Sequence, residues 1–179
     1  NRNAVLDANC EITIPNLVDL VTDEADNCAN MPTVTQSPTA NTKVALAHNG
    51  TTMVEITVND GNGNETKKSV TITAKDGIAP QIQTTNHTIT LNNNGSYTLT
   101  TSDLATLATG TTDNCNNFTD LSFNASQNSF DCSDLGVKVI NLTATDLANN
   151  TSAAQSVNLT ILAPPSQISI NATNTSVEE

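Results

Sequence analysis

The chain has 179 residues, six Lys and Arg against 18 Asp and Glu, and a formal net charge of −12. An acidic chain with so few cations cannot hold a phosphate backbone, which excludes nucleic acid as a partner. No run approaches the length of apolar residues that spans a bilayer, so membrane insertion is not expected. Helix formers are scarce and β-branched residues abundant: 30 Thr and 26 Asn alone supply about a third of the chain, so an all-β fold is predicted.

Elements follow in chain order. Ile12 opens a short strand, and Leu17 to Val21 breaks the alternation as a single helical turn. Asp26-Asn27-Cys28 forms a polar corner. Met53 to Val58 and Ser69 to Ala74 alternate as half-buried strands, with Val70, Ile72 and Ala74 facing one way and threonines the other. Asp60-Gly-Asn-Gly-Asn64 between them reads as a hairpin turn. Asp76-Gly-Ile-Ala-Pro80 is a short, stiff junction. The pattern then returns: a strand through Leu99, a helical turn from Leu104 to Ala108, the corner Asp113-Asn114-Cys115, and strands Val137 to Ala144 and Gln155 to Leu162 around Asp146 to Asn150.

Self-comparison makes this a repeat. With the two Asp-Asn-Cys corners aligned, Ile12 falls on Leu99, Leu17 on Leu104 and Leu20 on Leu107. The reading is two tandem immunoglobulin-like β-sandwich modules, end to end. The first covers residues 1–76 and is expected to lack its opening strand. The second covers 77–163. Residues 164–179, with Ala163-Pro164-Pro165 at their start, are a linker and the beginning of a further module.

The four cysteines, Cys10, Cys28, Cys115 and Cys132, form one pair in each half, 18 and 17 residues apart. Neither spacing suits zinc, and disulfides imply export. Three pairings are possible; the local ones, Cys10–Cys28 and Cys115–Cys132, are expected. Within the repeat Cys28 and Cys115 correspond, whereas Cys10 and Cys132 lie on opposite sides of the shared corner.

Leu6-Asp-Ala-Asn-Cys10, Asp26-Asn-Cys28, Gln36-Ser-Pro38, Val58-Asn-Asp60-Gly-Asn-Gly-Asn64 and Asp76-Gly-Ile-Ala-Pro80 resemble the HYR-like immunoglobulin-type repeats of secreted proteins. The second half, with Thr112-Asp-Asn-Cys115, Phe130-Asp-Cys132, Leu135-Gly136 and Leu142-Thr-Ala-Thr-Asp146, resembles related repeats of large Bacteroidetes surface proteins, in the style of gliding-motility adhesins of the SprB type. The resemblance covers nearly all of residues 5–162. It departs at Asn149-Asn150, where Gly-Asn is usual, and in a missing late cysteine of the first module. It implies a stalk segment of an extended cell-surface adhesin, exported by type IX secretion.

The catalytic inventory is poor. His48 and His87 stand apart from any nucleophile or metalloprotease motif. Glu11, Glu24, Glu55 and Glu65 are scattered, and residues 1–96 contain no aromatic platform for a sugar ring. The chain is therefore read as a non-enzyme with no required cofactor. Calcium is the one ligand with a case, since hard cations want carboxylate and amide oxygens. Two candidate sets arise. Asp26, Asp60 and Asp76, with Asn62 and Asn64 of the hairpin, make the first; Asp113, Asp146 and Asn150 make the second. The competing reading is that each side chain caps a turn. N-x-S/T triplets at Asn49, Asn64, Asn86, Asn94, Asn117, Asn124, Asn141, Asn150, Asn158, Asn171 and Asn174 are put down to composition.

The sequence points to a stalk segment of a surface adhesin serving adhesion and gliding; the alternative is a spacer or binding module of a secreted carbohydrate-active enzyme, and the poor catalytic inventory speaks against an enzyme in its own right. The expected partners are neighbouring modules of the same chain and a surface or polysaccharide target, with the protein itself a monomer.

Overall fold

A computed structural model describes residues 1–22 and 32–165. Asp26 and Cys28 lie outside the described residues, as does the expected third module. The fold is all-β with two β-sandwiches, and the chain clusters into two compact units. The first unit is Asn1–Ile82 with Gly110–Ser122 and Thr143–Ala153. The second is Gln83–Thr109, Phe123–Leu142 and the chain from Ala154 on.

The first unit holds strands β1 (Arg2–Val5), β2 (Glu11–Thr13), β3 (Thr33–Ser37), β4 (Lys43–Ala45), β5 (Thr51–Asn59) and β6 (Glu65–Lys75). One sheet has the order β1-β6-β5-β3, and β2 pairs with β4 in the other. The hairpin read from Asp60 to Asn64 joins β5 and β6, with Asn59 opposite Glu65; Gly61 and Gly63 take the positive φ that this turn requires. Alternation places Val54, Ile72 and Ala74 inward, where they meet Ile12, Ile14, Leu6 and Leu17 in one core. Val18–Leu20 forms the anticipated helical turn as a single 3-10 turn.

The second sandwich repeats this plan. It comprises β7 (His87–Thr90), β8 (Ser96–Thr98), β9 (Ser122–Ala125), β10 (Ser129–Asp131), β11 (Gly136–Thr145) and β12 (Gln155–Leu162). The orders are β7-β12-β11-β9 and β8-β10. Both four-stranded sheets carry a parallel edge strand, β1 on β6 and β7 on β12. The position of an opening strand in the first module is thus filled by Arg2–Val5, because residues preceding the first cysteine find a free edge on β6. Ile140, Leu142, Val157, Leu159 and Ile161 point inward. No helix among the described residues is long and apolar enough to cross a membrane.

Helix α1 (Thr101–Leu107) is the second anticipated helical turn, closed by a capping box in which Thr100 and Asp103 bond each other's backbone amides. Burial pushes the Asp103 carboxyl up, but the Thr100 amide and hydroxyl, the Tyr97 hydroxyl and the nearby His87 ring together hold it below the usual aspartate value. A carboxyl depressed on folding contributes stability above its unfolded pKa of about 3.9 and loses it as pH falls through the folded value. Asp103→Asn should therefore narrow the gap in melting temperature between pH 7 and pH 3. Tyr97, the sole tyrosine in a chain without Trp, gives the fluorescence readout; an unchanged gap would remove Asp103 from the acid response.

Candidate cation site

Among the described residues, Asp76, Asp113 and Asp146 each offer an oxygen within 4.8 Å of the others. All three belong to the first unit. Each is set by a local turn whose donors occupy one oxygen of Asp76 and of Asp113 and both oxygens of Asp146. Asp76 follows β6; its N–H donates to His48 Nδ1 at 3.0 Å, and its Oδ1 accepts from the Ile78 N–H at 3.1 Å. The Oδ2 of Asp76 is buried and has no hydrogen-bond partner, in a residue only 6% exposed. Asp113 opens the Asp-Asn-Cys corner. Its Oδ2 accepts from the N–H groups of Cys115 and Asn116, both at 3.0 Å, while its buried Oδ1 has no partner. Asp146, 5% exposed, accepts the Asn150 N–H at Oδ1 and the Asn150 Nδ2 at Oδ2, each at 2.8 Å. Asn150 also donates from Nδ2 to the Asp76 carbonyl at 3.4 Å.

At Asp76 and Asp113 one carboxylate oxygen caps the turn and the other is left without a donor, whereas at Asp146 both oxygens accept from Asn150. A buried acceptor with no donor costs roughly 1–3 kcal/mol, and gathered carboxylates repel one another at short range. A divalent cation answers both at once. Two oxygens bound to one Ca²⁺ at about 2.4 Å stand at most about 4.8 Å apart, and Ca²⁺ accepts about six to eight oxygens; the spacing here fits. A cleft bordered by Ala8, Ile78, Gln81 and Thr112 opens beside Asp113.

The other candidates fall elsewhere. Asp60 makes the same turn as Asp146: its Oδ1 accepts from the N–H groups of Asn62 and Asn64 and its Oδ2 from Asn64 Nδ2. Those bonds, the Asn64 side chain first, hold its carboxyl below the ordinary aspartate range. Asp60 is half-buried and Asn62 and Asn64 are exposed, and Asp60 is not among the clustered carboxylates. Asp76, assigned by sequence to the first set, joins Asp113 and Asp146 of the second. His87 Nε2 lies 3.9 Å from Asp103 Oδ1 in the second unit.

The disulfide pattern is a correction. Cys10 is bonded to Cys115, with Cα atoms 5.0 Å apart and a sequence separation of 105. Cys132 is a free, exposed thiol beside the Gly95 carbonyl, so it has no bridge to Cys115. The reason is packing. The corner containing Cys115 belongs to the first unit, where Cys10 and Cys115 both pack against the core of Leu6, Ile12 and Ile72. Local spacing carries no information about that placement. The bridge also sits next to the cation site, because Asn114 separates Asp113 from Cys115. Asn114 escaped the sequence reading: an amide between two more conspicuous residues gives no signal of its own.

No protein-family model matches the chain, and no curated protein does. Among solved structures it is similar to human protocadherin-24 EC1-2, at 12% identity and a TM-score of 0.42, covering 78% of this chain and 85% of that one. It is also similar to the protocadherin GammaB4 extracellular domain, at 14% identity and a TM-score of 0.40, covering 90% of this chain and 31% of that one. A third is the set of fibronectin(III)-like modules of Clostridium thermocellum CbhA, at 12% identity and a TM-score of 0.28, covering 90% of both chains. Likenesses this distant carry no information about ligands.

Proposed function

We propose that the chain is a non-catalytic segment of an extracellular adhesion or spacer protein, strengthened by one disulfide and by Ca²⁺ held at Asp76, Asp113 and Asp146. The carrying observation is twofold: Asp76, Asp113 and Asp146 each bring an oxygen within 4.8 Å of the others, and Asp76 and Asp113 each keep one buried oxygen without a donor. The Cys10–Cys115 bridge favours an oxidising compartment outside the cytoplasm. The repeat motifs favour a finer reading: two modules, residues 1–76 and 77–163, of a Bacteroidetes surface adhesin of the gliding-motility kind, exported by type IX secretion, whose stalk presents a binding region elsewhere to a surface or polysaccharide. Asp and Asn oxygens supply the charge and coordination; no proton transfer or nucleophile is involved.

Calorimetric titration and thermal melts of chelator-treated protein test the reading. Binding to the folded state raises stability by about 2.7 kcal/mol at a hundredfold excess over Kd. The melting temperature should rise with millimolar Ca²⁺ and fall again with chelator. Absence of heat and of any thermal shift up to about 10 mM, well above the weakest extracellular sites, would reduce the three aspartates to turn caps. At the level of the gene, further repeats in the same reading frame support the adhesin; a catalytic domain there would make the modules spacers of an enzyme.

A further inference from the structure

We infer that Asn114 is a fourth ligand of this site, contributing a neutral amide oxygen; the inference rests on the cation reading above. The Asn114 Nδ2 faces three acceptors: the Asp7 carbonyl at 3.1 Å, Asp76 Oδ1 at 3.4 Å and Cys115 Sγ at 3.2 Å. Rotating the amide by half a turn would bring its oxygen against those acceptors, so the donors fix its orientation. That orientation leaves Oδ1 buried and without a donor. Asn114 is thus the third residue of one corner with an unanswered buried oxygen, beside Asp76 and Asp113.

Asn114 Nδ2 reaches Asp76 Oδ1 at 3.4 Å, so its own Oδ1, on the same amide carbon, lies near the carboxylates as well. Unpaired oxygens on three residues of one corner are poorly explained as separate accidents, since buried acceptors in folded proteins are nearly always paired. The chemistry points the same way. Carboxylates supply charge, and each one added raises the repulsion among them; an amide oxygen adds coordination without charge. Ca²⁺ takes amide and backbone carbonyl oxygens alongside carboxylates. Asn114 is also well held for the task, by the backbone at Asp7 on one side and by the bridged Cys115 on the other. A ligand already fixed by its own hydrogen bonds loses little freedom when the ion arrives.

The test is Ca²⁺ titration by calorimetry of the whole chain after chelator treatment, with far-UV circular dichroism to establish folding. Asn114→Ala should weaken Ca²⁺ binding about tenfold or more. Asn114→Asp keeps an oxygen at the position and loses the Nδ2 donor, so it should bind Ca²⁺ at least as tightly as the parent while being less stable without the ion. A residue that merely braced the corner through its Nδ2 would show the reverse: impaired binding in Asn114→Asp as much as in Asn114→Ala. Asn116→Ala, on the same turn, should bind like the parent. If Asn114→Ala binds within twofold of the parent while Asp76→Asn loses binding, Asn114 is no ligand and the aspartate site stands. Failure of the parent itself to bind Ca²⁺ removes the site altogether. If Asn114→Ala does not fold, the Asn114→Asp titration decides between the ligand and the brace.

Discussion

Replacing Cys10 and Cys115 together by serine should destabilise the first unit by about 4–5 kcal/mol, the loop-closure value for a bridge spanning about 100 residues. The span here is 105 residues. The effect is large because the bridge removes a wide range of conformations from the unfolded chain, and because the core it supports is made of small aliphatic side chains: Leu6, Ile12, Ile14, Leu17, Val54, Ile72 and Ala74. At roughly 4 °C per kcal/mol for a domain of this size, the unfolding temperature of that unit should fall by on the order of 15 °C. Hydrogen exchange along β5 and β6 reads it directly. Non-reducing peptide mapping of the parent should return Cys10 linked to Cys115, and Cys132 should react with a maleimide before denaturation. Recovery of a Cys115–Cys132 peptide, or unaltered protection in the double variant, would contradict the bridge.

Phe130→Ala should cost the second unit about 3–5 kcal/mol, the usual range for truncating a buried Phe. Phe130 is 3% exposed and stands opposite Tyr97 on the strand pair β8-β10. Phe130 is the one aromatic ring among the buried hydrophobic residues described, so its truncation removes more apolar volume than that of any aliphatic neighbour. The second unit has no disulfide among its described residues, Cys132 being free, and nothing covalent limits the loss. Tyr97 fluorescence should show a transition lowered by on the order of 10 °C at least. A shift of only a degree or two would mean that the site collapses around the missing ring.

What could be read from the sequence was what local pattern determines. Alternation set the strands around Ile72, Leu142 and Leu159, and the Asp60 and Asp146 turns were marked by residues whose side chains bond the amide four places on. The equivalence of those two turns was legible too, and they make the same hydrogen bonds. Their different fates were not. Asp60 is only half-buried and Asp146 fully so, a difference made by what packs around each turn rather than by the turn itself. The same holds for Cys115, whose partner is set by the long-range placement of residues 110–122 with the first unit, and for Asn114, visible as a candidate only once its Nδ2 is seen to be committed and its Oδ1 left over. The oxygen side chains of the corner and hairpin turns marked calcium as a candidate ligand. They could not say which carboxylates meet, because that depends on contacts more than thirty residues apart.

The bridge also changes how the chain would carry tension. A pull applied at its ends enters at Asn1, reaches Cys10 and can cross directly through sulfur to Cys115, leaving residues 11–114 in a closed loop off the line of force. Unravelling that loop would otherwise pay out roughly 350 Å of extended polypeptide at about 3.4 Å per residue. With the sulfurs joined, β2 to β6 and the strands β7 and β8 bear no axial load, whatever happens outside the loop. The segments left in the load path are those beyond Cys115, with β9 to β12, and the few residues before Cys10. The disulfide therefore acts as a limit on extensibility: under oxidising conditions the looped residues contribute nothing to the length the segment can yield, and reduction would convert the same stretch into a long, compliant reserve.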